Sequence, residues 1–126
     1  MSDFKLAIDN FSKIPEKVIR GGTLNLFNSI VIGTPVDTGR ARGNWFTSAS
    51  SPSNAVRSAT DEQASLSDVS RTVSTWDVRD SLHITNNLPY IMRLEYGYSK
   101  QAPSGWVRKS VAKFQDAFDK EARKYK

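Results

Sequence analysis

The sequence has no cysteine, a single histidine and no long apolar run. Without cysteine there is no disulfide framework, no thiolate nucleophile and no Cys-based zinc site, and the fold is indifferent to redox compartment. The lone histidine, His83, falls on the polar parity of an alternating segment. A histidine-pair metal site or a Ser-His-Asp triad would therefore need a component from elsewhere. No stretch approaches the ~18 apolar residues of a membrane span. Met1 to Asn10 also lacks the basic start and apolar core of a signal peptide, so a soluble, non-exported domain is expected.

Other absences narrow the chemistry. Gly21-Gly22 sits in a helical pattern with no strand before it and no Lys-Ser after it, which excludes a phosphate loop. Asp37-Thr38-Gly39 occurs once, at a helix exit, whereas an aspartic-protease site needs two carboxylates in a buried cleft. Glu95 has Arg93 nearby but no second acid to pair with for glycoside hydrolysis. The residues thus point to no active site, cofactor site or metal site, and the chain is expected not to be an enzyme.

What is present suits one domain of 126 residues, large enough to bury a core unaided. Eighteen basic and thirteen acidic residues leave a net charge of +5. From Trp106 onward, seven basic residues face three acidic ones. That bias is read either as a solvated helix face or as a contact for polyanions.

Residues 1–33 read as a helical region. Phe4, Ile8 and Phe11 form one stripe, and Phe27, Ile30 and Val31 another, with a break at Pro15 and a second helix starting at Pro15 or Glu16. Gly21-Gly22 either admits a close backbone or merely softens that helix. Gly33-Thr34-Pro35 stops it, and Pro35 to Gly39 turns, with Gly39 able to take positive φ. Asn44 to Ser48 is aromatic and β-prone. Residues 47–65 hold six serines and one large aliphatic, Val56, too little apolar surface to offset ordering entropy, so a flexible arm is expected.

Leu66, Val69, Val73 and Trp76 repeat at helical spacing, with Ser65 or Ser67 as candidate N-cap. Asp77 to Asp80 reads as a turn and Ser81 to Thr85 as a strand with one buried face. A short helix follows around Tyr90, Ile91 and Leu94, and then an irregular crossing. The last helix, 103–125, buries Val107, Val111, Phe114, Phe118, Ala122 and Tyr125, with Ser104 as cap. The expected fold class is α+β: a long broken N-terminal helix, a small mainly antiparallel sheet from the Trp45 and Ile84 strands plus one more, and a C-terminal amphipathic helix packed on it.

Two segments carry a resemblance. Asn86-Asn87-Leu88-Pro89-Tyr90, followed by Arg93-Leu94-Glu95-Tyr96-Gly97-Tyr98-Ser99-Lys100-Gln101-Ala102-Pro103-Ser104-Gly105-Trp106-Val107-Arg108, resembles the signature of a family of small tailed-bacteriophage proteins called neck, head-to-tail joining or tail-completion proteins. Thr34-Pro35-Val36-Asp37-Thr38-Gly39-Arg40-Ala41-Arg42-Gly43-Asn44-Trp45 is similar to the family's other motif. It departs at Ala41, where a larger apolar residue is common. The two motifs stand in the family's order and together cover about a quarter of the chain.

The resemblance implies a structural virion protein of the neck or tail, assembled in the host cytoplasm. It would form a homo-oligomeric ring on the order of six or twelve copies around the DNA channel, each copy meeting the next head to tail. Other connector and tail proteins would be its partners, with genomic DNA passing close by and no membrane involved. Trp45, Tyr90, Arg93, Glu95, Tyr96, Tyr98 and Trp106 are the residue types that anchor interfaces, and the alternative reading is that the aromatics cap one small core. The rival function is a DNA-binding accessory protein that uses the basic C-terminal helix.

Overall fold

The computed structural model describes residues 4–8, 14–35, 39–78, 80–95 and 105–124. In chain order these form β1 (Phe4–Ile8), α1 (Glu16–Gly33), a 3-10 turn (Arg42–Asn44), β2 (Trp45–Ala49), α2 (Gln63–Thr75), β3 (Leu82–Asn86), α3 (Ile91–Glu95) and α4 (Trp106–Lys124). The class is α+β, with a small antiparallel sheet in the order β1-β3-β2.

The helical reading of residues 1–33 is corrected near its start, where Phe4–Ile8 is a strand that pairs Phe4 with Asn86 and Ile8 with Leu82; Phe11 lies outside the described residues. Phe4 and Ile8 fit an i, i+4 stripe, but Phe4, Leu6 and Ile8 fit a period of two equally well. A five-residue strand gains backbone partners from β3 that an isolated helical turn ahead of Pro15 would lack. The second helix of that reading is α1, which begins immediately after Pro15.

On the sheet, Trp45 stands opposite Asn86, Thr47 opposite Ile84 and Ala49 opposite Leu82, so these six positions share one face. Trp45, Leu82 and Ile84 are fully buried there, joined by Phe27, Ile30 and Val31 of α1 and by Val69 and Val73 of α2 in one core. His83 is half-buried on the opposite parity. Trp76 ends α2 and donates its indole N–H to Asp80 O at 2.9 Å, which fixes the turn into β3.

α4 is met along its length by α1, where the sequence reading laid it on the sheet. A Cβ at Gly22 would come within 2.2 Å of the Phe118 ring, and one at Gly33 within 2.9 Å of the Trp106 ring. These pairings run the two helices antiparallel, and each glycine is a notch for an aromatic. Gly21 has open space beside it. Close approach is therefore the reason for Gly22 but not for its neighbour. Gly33 closes α1 by packing, and the extended C-cap residue is Thr34.

The stretch expected to be a flexible arm lies against the body. Arg57 N–H donates to Asn44 Oδ1 at 2.8 Å, and the Asn87 side-chain amide donates to Ser53 O and Ala55 O, both at 3.0 Å. Asp61 and Thr60 press on the 39–43 turn so closely that a Cβ at Gly39, whose φ is +75°, would meet Thr60 O at 1.7 Å. Apolar area was the wrong measure for this segment. Side-chain amides and one guanidinium hold it.

Candidate functional site

The first motif is a hub for the C-terminal end of α1. A helix leaves its last carbonyls without partners in the helix, and here residues of both motifs supply them. The Thr34 hydroxyl donates to Ile30 O at 2.7 Å, and Trp45 Nε1 donates to that same hydroxyl at 2.9 Å. Trp106 Nε1 donates to Ile30 O at 3.0 Å, and Arg42 Nε to Thr34 O at 2.7 Å. Asn44 and Asn86 complete the corner by donating to Arg40 O and Ala41 O. Ala41 is buried in this corner.

The second motif closes on a buried carboxylate. Glu95 ends α3 with no exposed surface. Its Oε1 accepts Val107 N–H at 3.1 Å, and its Oε2 accepts Arg108 N–H at 3.1 Å and Arg108 Nε at 3.0 Å. The Glu95 carbonyl accepts Gly105 N–H at 2.7 Å. An acid against the first amides of a helix satisfies orphan donors and complements the positive end of the helix dipole. Positions 95 and 105 are thereby clamped together.

A third cluster was not anticipated. β2 is an edge strand, and its outward backbone groups would template further strands if left open. Trp45 N–H instead donates to Ser65 Oγ at 3.1 Å, Thr47 N–H to Asp68 Oδ2 at 2.7 Å, and Thr47 O accepts from the Thr72 hydroxyl at 3.2 Å. Trp45 O accepts from Arg57 Nη1 at 3.2 Å. Arg57 also donates to Gly43 O, stacks 3.9 Å above the Phe46 ring and lies 3.8 Å from Asp68. Burial pulls the Arg57 guanidinium below its ordinary pKa, with Asp68 opposing that shift. Ser65, read from sequence as a candidate helix cap, spends its hydroxyl on the sheet edge.

Of the seven expected interface residues, Trp45 and Trp106 are buried and hydrogen-bonded inside the fold, and Glu95 is the clamp. For these two tryptophans that is the alternative in which the aromatics cap the core, with each indole N–H spent inside the fold. Tyr90 is half-buried against the core. Tyr96, Tyr98 and the Arg93 side chain lie outside the described residues, as do the Ser104 cap and the side chains of Ala122 and Tyr125. Among the described residues, no group of three or more His, Asp or Glu could hold a metal ion, and no helix is long and apolar enough to cross a membrane. The chain matches no known family by its family model, no curated protein and no solved structure.

Proposed function

We propose that this protein is a structural component of a bacteriophage neck, joining head and tail or completing the tail as one subunit of a ring around the DNA channel. One observation carries the reading. The two segments that resemble the phage family are far apart in sequence, yet both deliver a tryptophan to the last turn of α1, linked through Thr34 and Ile30. Such a joint makes the motifs a scaffold that holds residues 95 and 105 in place, and Tyr96 and Tyr98 are by residue type suited to contact with a partner. The finer architecture follows the same reading, with each copy meeting the next head to tail.

Electron micrographs of the purified protein, with mass measurement on it and on isolated necks, test the proposal. A closed ring in either sample is expected; monomer in both would end the reading. The rival, a DNA-binding accessory role, draws on exposed Lys109, Lys113 and Lys120 along one side of α4. Tight duplex binding by the monomer that falls steeply with salt would favour it.

A further inference from the structure

β1 and β2 flank the same strand but are held in different ways. β2 pairs with β3, packs on α2, and has its outer edge filled by Ser65, Asp68, Thr72 and Arg57. β1 runs antiparallel along β3, and β3 is the one described element that it lies against along its length. The sheet therefore has one edge strand built into the body and one attached to it by strand pairing.

The place that β1 occupies needs a strand. Leu82, Ile84, Thr85 and Asn86 of β3 have no exposed surface with β1 in position. Without it, β3 would present a row of unpaired backbone groups along one side. Phe4–Ile8 fills that side in a fixed register, Phe4 opposite Asn86 and Ile8 opposite Leu82. The pairs are the same whether the strand comes from the same chain or from another copy, so strand pairing favours neither source.

The covalent link decides the source in a lone chain. Ile14 is buried in the core, and the chain from Ile8 to Ile14 reaches about 20 Å at most. A tether this short holds β1 near its own β3 at an effective concentration on the order of millimolar. Assembly competes with that wherever it brings the β3 of another copy within the same reach.

We propose that Phe4–Ile8 of one copy is exchanged onto β3 of the next copy when the chains assemble. Exchange of an identical element is an established route between protomers, and strand and seat are different patches, so repetition closes a ring or runs on as a filament. The proposal rests on the homo-oligomeric reading above and supplies the two faces that reading leaves unnamed.

The absence of cysteine makes the test clean. Ala7 stands opposite His83 in the pairing of β1 with β3. Ala7→Cys and His83→Cys are prepared as separate proteins, unfolded in urea, mixed, refolded together over a series rising to about 1 mM, and oxidised. A disulfide-linked pair with one copy of each is expected, growing with concentration. Ala7→Cys refolded with Ala112→Cys, whose cysteine would stand exposed on α4, should give far less. No link between positions 7 and 83 across the series, or an equal yield with Ala112→Cys, overturns the proposal.

The wild type supplies a reading free of substitution. Species formed by refolding at about 1 mM should part slowly after dilution, because β1 must leave its place before the copies separate; immediate return to monomer overturns the exchange. In the double variant Ala7→Cys/His83→Cys, an internal link is expected in dilute protein and a ladder of linked copies at high concentration. A ring whose copies carry the internal link alone removes the exchange and leaves the ring reading standing. Linked species that never exceed two copies, as in a reciprocal exchange, remove the ring and leave the exchange.

Discussion

Trp45 and Trp106 end on the same turn of α1: the first reaches the Thr34 hydroxyl, the second the Ile30 carbonyl, and that hydroxyl donates to that carbonyl. Four groups from three parts of the chain, joined by three hydrogen bonds, thus form one buried relay. Thr34→Val keeps the shape and removes the middle of the relay, leaving the Trp45 indole N–H unpaired. An unsatisfied buried donor costs about 1 to 3 kcal/mol, and urea unfolding should show a loss of that size. Trp45→Phe should cost less in the Thr34→Val background than alone, because its hydrogen bond is already gone; additive losses would mean the relay is not coupled.

The adjacent glycines of α1 should respond with opposite signs. Gly21→Ala enters open space and should stabilise by about 1 kcal/mol through helix propensity. Gly22→Ala drives a methyl into the Phe118 ring, and overpacking of this kind costs about 1 to 3 kcal/mol. Thermal melts of both variants decide it. Equal effects would show that the α1–α4 contact at this notch is not as tight as described.

The legible parts of the sequence were those where one local signal dominates. α1 and α4 follow from long 3.6-residue periodicity, and the turn before β3 from Asp77 to Asp80, where Asp80 N–H returns to Asp77 O. β1 was not legible because Phe4–Ile8 satisfies two periods at once and its pairing partner lies far along the chain. The seating of residues 50–62 was hidden for another reason. It depends on Arg57, Asn44 and Asn87, and hydrogen bonds between distant polar side chains leave no periodic trace. Glu95 was singled out as a chemical type, yet its role as a clamp depends on amides twelve and thirteen positions later.

The clamp itself predicts an order of severity. Glu95→Ala removes the acceptor for two backbone amides and the Arg108 guanidinium; Glu95→Gln keeps an acceptor but loses the charge. Hydrogen bonds to a charged group contribute about 1.5 to 3 kcal/mol each, less where the partner is exposed, as Arg108 is in part. Glu95→Ala should therefore destabilise more than Glu95→Gln, and urea unfolding of the two variants beside the wild type measures that order. Wild-type stability in both variants would refute the clamp.

Thr85 offers a gain. Its hydroxyl is buried with no hydrogen-bond partner among the described residues, and such a group opposes folding by its lost hydration. Thr85→Val removes the penalty at nearly constant shape and keeps the β-branch that suits a strand. A rise in stability of about 1 kcal/mol is expected. A fall would mean that this hydroxyl has a partner outside the described residues.

The 50–62 segment gives the most discriminating measurement, because its amides should not behave alike. Arg57 N–H is held by Asn44 Oδ1, and Ala55 N–H by Ser53 Oγ at 3.1 Å. Asn54 and Val56 flank Ala55 and are exposed. In hydrogen exchange on the free protein, Arg57 should be protected while Asn54 and Val56 exchange fast, with Ala55 intermediate because its acceptor is exposed. Asn44→Ala should abolish the protection at Arg57 and spare the β3 amides, since β3 is held by its own strand pairs. Uniformly fast exchange across 50–62 in the wild type would return this segment to the flexible arm that its composition suggests, and would show that Asn44, Asn87 and Arg57 do not hold it in solution.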